Sequence, residues 1–454
     1  MMMLSEIANA VAGRMTGADV LCESVGSDSR HIAINQLFVG IKGERFDGNT
    51  YAAEAIKQGA AAVLVSDANT QASPAVIVSD TRLALGQLAK YWRSKFNLPL
   101  VAVTGSNGKT TVKEMIAAIL AATNQSVLAT QGNLNNDIGM PMTLLKLRQE
   151  HTFAVIEMGM NHEGEIRYLT KLAQPDVAVV NNAGTAHIGE VGSREGIARA
   201  KGEIYEGLAQ DGIAIINADD VFADYWKSLN KNRKIITFGL TDIADVSASY
   251  QARGNLTQIH LKTPNGETPF ELHVLGMHNV HNALAASAVS VALGISNADI
   301  ATGLAGFHAV KGRLNWLQGC NDAVLIDDTY NANPDSMKAA IDVLASQKAT
   351  QIFVMGDMAE LGEDAPQMHA DIGLYAKQKG IDQLFAFGEL GQLAAKAFGA
   401  NAQHCSTLEA LVASLKPLMQ KDVTVLVKGS RFMQMERVVN QLIEKNEMEK
   451  KSCC

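Results

Sequence analysis

The stretch "VTGSNGKTTVKEMIAAIL", residues 103–120, decides the fold class. Just before it, Leu98 to Val103 ("LPLVAV") reads as a short buried strand. After it, Val112, Met115, Ile116, Ile119 and Leu120 recur at the spacing of one apolar helix face. The order is strand, glycine loop, helix. At a helix start the first N–H groups lack partners and the dipole favours an anion, so phosphate is the obvious ligand. The usual phosphate loop requires glycine at 103, where Val103 stands; here the loop runs from Gly105 as GxxGKTT. Gly105 and Gly108 let the backbone curl around phosphate, Lys109 reaches β/γ oxygens, and Thr110 can ligate Mg²⁺. The alternative is a tight strand–helix turn with a surface lysine, and the flanking strand and helix favour phosphate.

Downstream, "FAVIEMG" (153–159), "DVAVVNN" (176–182) and "GIAIINADD" (212–220) read as apolar strands separated by helical stretches. That alternation is the signature of a parallel α/β sheet. Residues 244–275 alternate with turns such as Asn265-Gly266 and predict a small antiparallel appendage. A long Ala-rich helix is expected at about 279–293. Strands "AVLIDDTY", "QIFVMGDM", "QLFAFGE" and "VTVLVKGS" then build a Rossmann-like unit from Arg313 onward. Ligands in such sheets gather beyond the strand C-termini. Strand-like and helical pieces also alternate before Pro99. The expected division is a mixed α/β unit at 1–98, a central phosphate-loop unit at 99–312 and a C-terminal unit at 313–454. The tail from Glu444 is expected to be disordered.

The chain has 454 residues, of which 39 are basic and 47 acidic, a net charge of −8. Its length exceeds what one core supports. Its acidity argues against nonspecific nucleic-acid binding, so an acidic substrate must be met by local cations and N–H groups. The cysteines, Cys22, Cys320, Cys405, Cys453 and Cys454, form neither a disulfide framework nor a zinc pattern. Without a secretory signal or an apolar run near the roughly 18 residues of a membrane span, a cytoplasmic protein is expected.

Other groups could serve the phosphate site. Glu157 ends a buried strand, as a magnesium ligand or a solvated terminus. His187 follows the next strand as a structural loop histidine or a ligand. Lys201, in "IARAKGEIYEGL", reads as a solvated helix lysine; a neutral amine there could instead capture CO₂ and become an anionic carbamate. Asn279 and Asn282 share a helix face, suited to an adenine edge, although Asn279 could equally cap the helix. Arg313 and Asp328 flank the second boundary.

Taken in order, "TGSNGKTT", Glu157, the His187 loop, "AKGEI", "GMHNVHNALAA", "GRLN" and "LIDDTYNANPDS" resemble the Mur ligases over the whole chain. The resemblance implies ATP-dependent amide formation in peptidoglycan precursor synthesis, in which D-alanyl-D-alanine is joined to a UDP-N-acetylmuramoyl-tripeptide through an acyl phosphate. It assigns Gly105, Ser106, Asn107, Gly108, Lys109, Thr110, Thr111, Asn279, Asn282, Arg313 and Asp328 to ATP. Lys109, Glu157, His187 and Lys201 become the catalytic group. Thr110, Glu157, His187 and carbamylated Lys201 become ligands of two Mg²⁺ ions. Asp28, Ser29, Arg30, Lys42 and Arg45 are implied at the UDP end, and Asn133, Asn135, Asn136 and Asp137 nearer the muramoyl and pyrophosphate part. No "DNPR"-type motif of a diamino-acid-adding relative occurs. Asn331, Asn333, Asp357 and Arg431 are therefore expected at a dipeptide pocket. A monomer is expected. Rival readings are a single-amino-acid ligase, a phosphate-loop ATPase and a noncatalytic nucleotide module.

Overall fold

The computed structural model describes residues 1–43, 46–186, 188–241, 243–254 and 256–444. Arg45, His187 and the tail beyond Glu444 lie outside the described residues. The chain forms three domains, each built on a sheet, and is α/β throughout.

The strand Leu100–Thr104 sits inside a six-stranded, wholly parallel sheet. Phe153–Glu157 and Val127–Ala129 lie to one side; Val177–Val180, Ile213–Asn217 and Lys234–Phe238 lie to the other. The strand order turns outward in both directions from Leu100–Thr104, so its neighbours' loops leave a crevice above its C-terminus. The phosphate-loop helix spans Lys109–Ala122. Its periodic residues Val112, Met115, Ile116, Ile119 and Leu120 are all fully buried. They pack with Val280 and Leu284 of the helix Met277–Ala292 over one sheet face.

The appendage is a three-stranded antiparallel sheet, Ser247–Arg253, Leu256–Thr263 and Gly266–Leu272. Thr263 pairs with Gly266, so its tight turn is Pro264–Asn265, one residue earlier than the Asn-Gly reading.

The opposite face of the central sheet shares a core with the N-terminal domain, in which Trp92 and Phe96 join Ala102, Ile156 and Leu169. The junction is also polar. Arg93 donates to the carbonyls of Phe96, Leu98 and Ala173 and pairs with Asp176 at 3.5 Å. The N-terminal sheet has five strands, ordered Arg14–Thr16, Ala75–Ile77, Ala62–Val65, Gln36–Val39 and Ser24–Gly26.

The C-terminal sheet has six strands, in the order Asn315–Gln318, Val324–Asp328, Val423–Lys428, Thr350–Gly356, Gln383–Phe387 and Ala402–Cys405. Only the first is antiparallel. Its strand ends face the phosphate-loop crevice, as the contacts below require. No helix among the described residues is long and apolar enough to cross a membrane.

Candidate active site

A cleft of about 1100 Å³ runs between the three domains. The phosphate loop forms its floor. Gly108 has φ +79°, and a Cβ there would stand 2.2 Å from Asn282 Oδ1. Both facts require glycine. The first helical bond, Val112 N to Gly108 O at 2.8 Å, leaves the amides of Lys109, Thr110 and Thr111 without helical acceptors. Two neighbouring asparagines hold the loop open. Asn182 accepts from Ser106 N at 3.0 Å and from Asn107 N at 2.9 Å, and Asn181 Nδ2 donates to Asn107 O and Asn282 Oδ1, both at 2.9 Å.

Lys109 Nζ donates to Gly105 O at 2.8 Å. Burial pulls its ammonium below the ordinary value; Glu157 opposes that, and Arg313 reinforces it. Arg313 crosses from the C-terminal side, donating from Nη2 to Thr110 Oγ1 at 3.0 Å and lying 4.2 Å from the Tyr330 ring centre. Glu157 is 2% exposed. Its Oε1 accepts from Asn135 Nδ2 at 2.7 Å, while its Oε2 is buried without a hydrogen-bond partner among the described residues. An orphaned carboxylate oxygen is costly unless something binds it. A hard cation beside the Thr110 hydroxyl would satisfy it, so this donor set fits Mg²⁺.

Lys201 is not the solvated helix lysine its sequence suggested. It is 1% exposed, on the helix Arg194–Gly202. Burial, then the charge of Lys109, drives its amine well below the ordinary value. A neutral amine is the form that can add to CO₂.

Asn279 and Asn282 are both buried. The helix begins at Met277, so Asn279 lies in its first turn rather than at its cap, donating to Leu275 O at 2.8 Å. Asn282 Nδ2 donates to Asn279 Oδ1 at 3.2 Å. Asp328 accepts from Leu314 N at 3.0 Å and from Lys428 Nζ at 2.6 Å.

The muramoyl-side candidates Asn133, Asn135, Asn136 and Asp137 line the cleft together with Arg82 of the N-terminal domain, which bonds Asp137. Asn331, Asn333 and Arg431 line it too. Asp357 does not. Its carboxylate accepts from Leu390 N and Gly391 N at the start of the helix Gly391–Phe398. Asp28, Ser29, Arg30 and Lys42 are also off the cleft walls. Arg30 donates to both oxygens of Asp28 at 2.9 Å, holding that carboxyl well below its usual range. Sequence reasoning missed Arg82, Arg194, His278, Tyr330 and Lys428, all on the cleft wall. Of these, only Lys428 carried a readable signal, as a lysine ending a buried strand.

Three family models match in succession: the Mur ligase family, catalytic domain, at residues 22–93; the Mur ligase middle domain at 103–290; and the Mur ligase, glutamate ligase domain, at 312–431. The UDP-N-acetylmuramoyl-tripeptide–D-alanyl-D-alanine ligases of Haemophilus influenzae and Escherichia coli are each 43% identical, over 97% of this chain and 98% of theirs. The crystal structure of MurF from Acinetobacter baumannii superposes with a TM-score of 0.91 at 39% identity, covering 97% of this chain and 98% of that one. MurF from Thermotoga maritima in complex with ADP superposes at 0.84 and 28% identity, covering 94% and 98%. With a full-length match in sequence and fold, the chain belongs to the Mur ligase family.

Proposed function

We propose that the protein is an ATP-dependent ligase, a cytoplasmic monomer that joins D-alanyl-D-alanine to a UDP-N-acetylmuramoyl-tripeptide. The observation that carries this reading is the cleft itself. One continuous space is walled by the phosphate loop, by the asparagine-rich loop 133–137 and by the strand ends of the C-terminal domain. An ATPase has no need of the second and third walls. The names of the relatives support the choice of substrates.

The tripeptide's terminal carboxylate attacks the γ-phosphorus, ADP leaves, and an acyl phosphate remains. The dipeptide amine then attacks the acyl carbon. The tetrahedral intermediate collapses to the amide, and inorganic phosphate departs with the C–O bond electrons. The first step brings two anions together, so catalysis is mainly positioning and charge neutralisation. The amides of residues 109–111 hold the phosphates. Lys109 exchanges its Gly105 carbonyl for a phosphate oxygen. Arg313, already on Thr110, adds positive charge from the C-terminal side. Asn279 and Asn282 meet the base; Asp328, held by Lys428, meets the ribose or orients the phosphate-loop side. Thr110 and Glu157 would hold Mg²⁺, and Lys201 as a carbamate would join His187 at a second ion; bound there, magnesium lowers the repulsion between the reactants. Asp28, Ser29, Arg30, Lys42 and Arg45 remain candidates for the uridine end, with Asn133, Asn135, Asn136 and Asp137 nearer the reacting peptide. Asn331 and Arg431 are the stronger dipeptide candidates, since Asp357 is engaged by helix amides.

Phosphate release is the direct test. With ATP and the uridine-linked tripeptide, D-alanyl-D-alanine should trigger turnover, and single amino acids should not. Release without any acceptor supports the ATPase; release with a single amino acid supports another family branch.

A further inference from the structure

The connection between the strand Val177–Val180 and the helix Arg194–Gly202, which includes the short helix Ile188–Val191, is gripped from the C-terminal domain at Thr185 and again at Gly189. On one side stands Asp335, at the start of the helix Pro334–Ala345. An acidic residue there ordinarily offsets the dipole of its own helix. Asp335 instead reaches across, and its Oδ2 accepts from both Thr185 N at 2.7 Å and Thr185 Oγ1 at 2.9 Å. The loop is shaped for this contact: a Cβ on Gly184 would lie 2.4 Å from the same oxygen. Gly184 N in turn donates to Ser106 Oγ of the phosphate loop at 2.9 Å. The neighbouring Asn333 caps the helix and donates from Nδ2 to Asn107 Oδ1 at 2.8 Å.

On the other side, Gly189 N donates to Glu360 O at 3.1 Å. A Cβ on Gly189 would stand 2.6 Å from Gly362 N, so the helix Ile188–Val191 and the turn at 360–362 meet backbone to backbone. Glu360 and Gly362 both hold positive φ, +61° and +66°, which builds the tight turn presented to Gly189.

We propose that Asp335, with the turn at residues 360–362, is a positioning element: the acceptor-binding domain braces this connection at Thr185 and Gly189 and so completes the phosphoryl-transfer site only when that domain is docked. This rests on the ligase reading given above. It assigns Asn333 and Asp335 to coupling between domains rather than to contact with the dipeptide. Phosphoryl transfer is thereby tied to the arrival of the domain that delivers the amine, which limits loss of the acyl phosphate to water.

The test compares the whole wild-type protein with Asp335→Ala, the isosteric Asp335→Asn and Thr185→Val, the last removing one of the two bonds. Amide hydrogen exchange is read over residues 183–192 and 109–122, without ligand and with ADP. Exchange at 183–192 should rise about tenfold in Asp335→Ala and less in Thr185→Val, while 109–122 stays unchanged. In the ligation assay, kcat should fall about ten- to a hundredfold with the KM for the uridine-linked tripeptide near the wild-type value. Phosphate released per amide formed should rise above one. Wild-type exchange, kcat and stoichiometry in Asp335→Ala would overturn the proposal. Should Asp335→Ala fail to fold, the same readouts in Thr185→Val and Asp335→Asn decide it. A wild-type protein that does not ligate would refute the ligase reading instead, and the exchange result would still stand or fall by itself.

Discussion

At the scale of single residues, the site depends on charges held where water is scarce. In the proposed mechanism Lys109 meets the phosphates from the floor of the cleft, and the charges of Glu157 and Arg313 act on it there. Replacing it with alanine removes the one ammonium on the loop, and turnover should fall about a hundred- to a thousandfold in a phosphate-release assay. A normal rate in Lys109→Ala would contradict the phosphate role. Lys201 makes a different prediction. Buried, with its amine drawn well below the ordinary lysine range by burial and by Lys109, it is suited to become a carbamate. If Lys201 carries the proposed carbamate, Lys201→Ala removes that anion and leaves space that a short carboxylate can fill. Added acetate or formate should therefore restore part of the rate, in a saturable way. Wild-type activity in the mutant without additive would dispose of the carbamate.

At the scale of elements, the strand–loop–helix unit organises everything near it. Gly108 combines positive φ with close approach to Asn282 and Asn181. Gly108→Ala should weaken ADP binding at least about tenfold by calorimetry, since even a small shift of the loop misaligns its amides. Unchanged affinity would mean that the loop amides do not carry the phosphates. The fold's principal elements were legible here because apolar periodicity is strong: the helix face of Val112 to Leu120 is buried as its spacing demands. The strands Val127–Ala129 and Lys234–Phe238 were missed because they lie at the two sheet edges, one with only three residues and the other beginning in an exposed lysine. On the cleft wall, residues inside compact motifs, such as Lys109, Asn135 and Asn282, could be read off as candidates. Arg82 and Tyr330 could not. Each lies in another domain, and only the tertiary fold brings it to the cleft. Lys201 shows the opposite limit: nothing local distinguishes a buried helix lysine from a solvated one.

At the scale of the whole molecule, all three domains meet at the cleft. Arg82 to Asp137 links the N-terminal domain to the central one, while Arg313 to Thr110 and Asn333 to Asn107 link the C-terminal one. Arg82→Ala should raise the KM for the uridine-linked tripeptide several-fold while leaving ADP affinity intact, because that contact lies beside the asparagine loop and away from the nucleotide. Equal changes in both would instead indicate a general loosening of the cleft. The central claim is that one cleft passes the tripeptide's own carboxylate through an acyl phosphate. Labelling that terminal carboxylate with oxygen-18 tests it most directly. If the account is right, each inorganic phosphate released with D-alanyl-D-alanine present carries one labelled oxygen. Phosphate free of label would mean that water, not the carboxylate, attacks ATP, and the ligase mechanism would be contradicted.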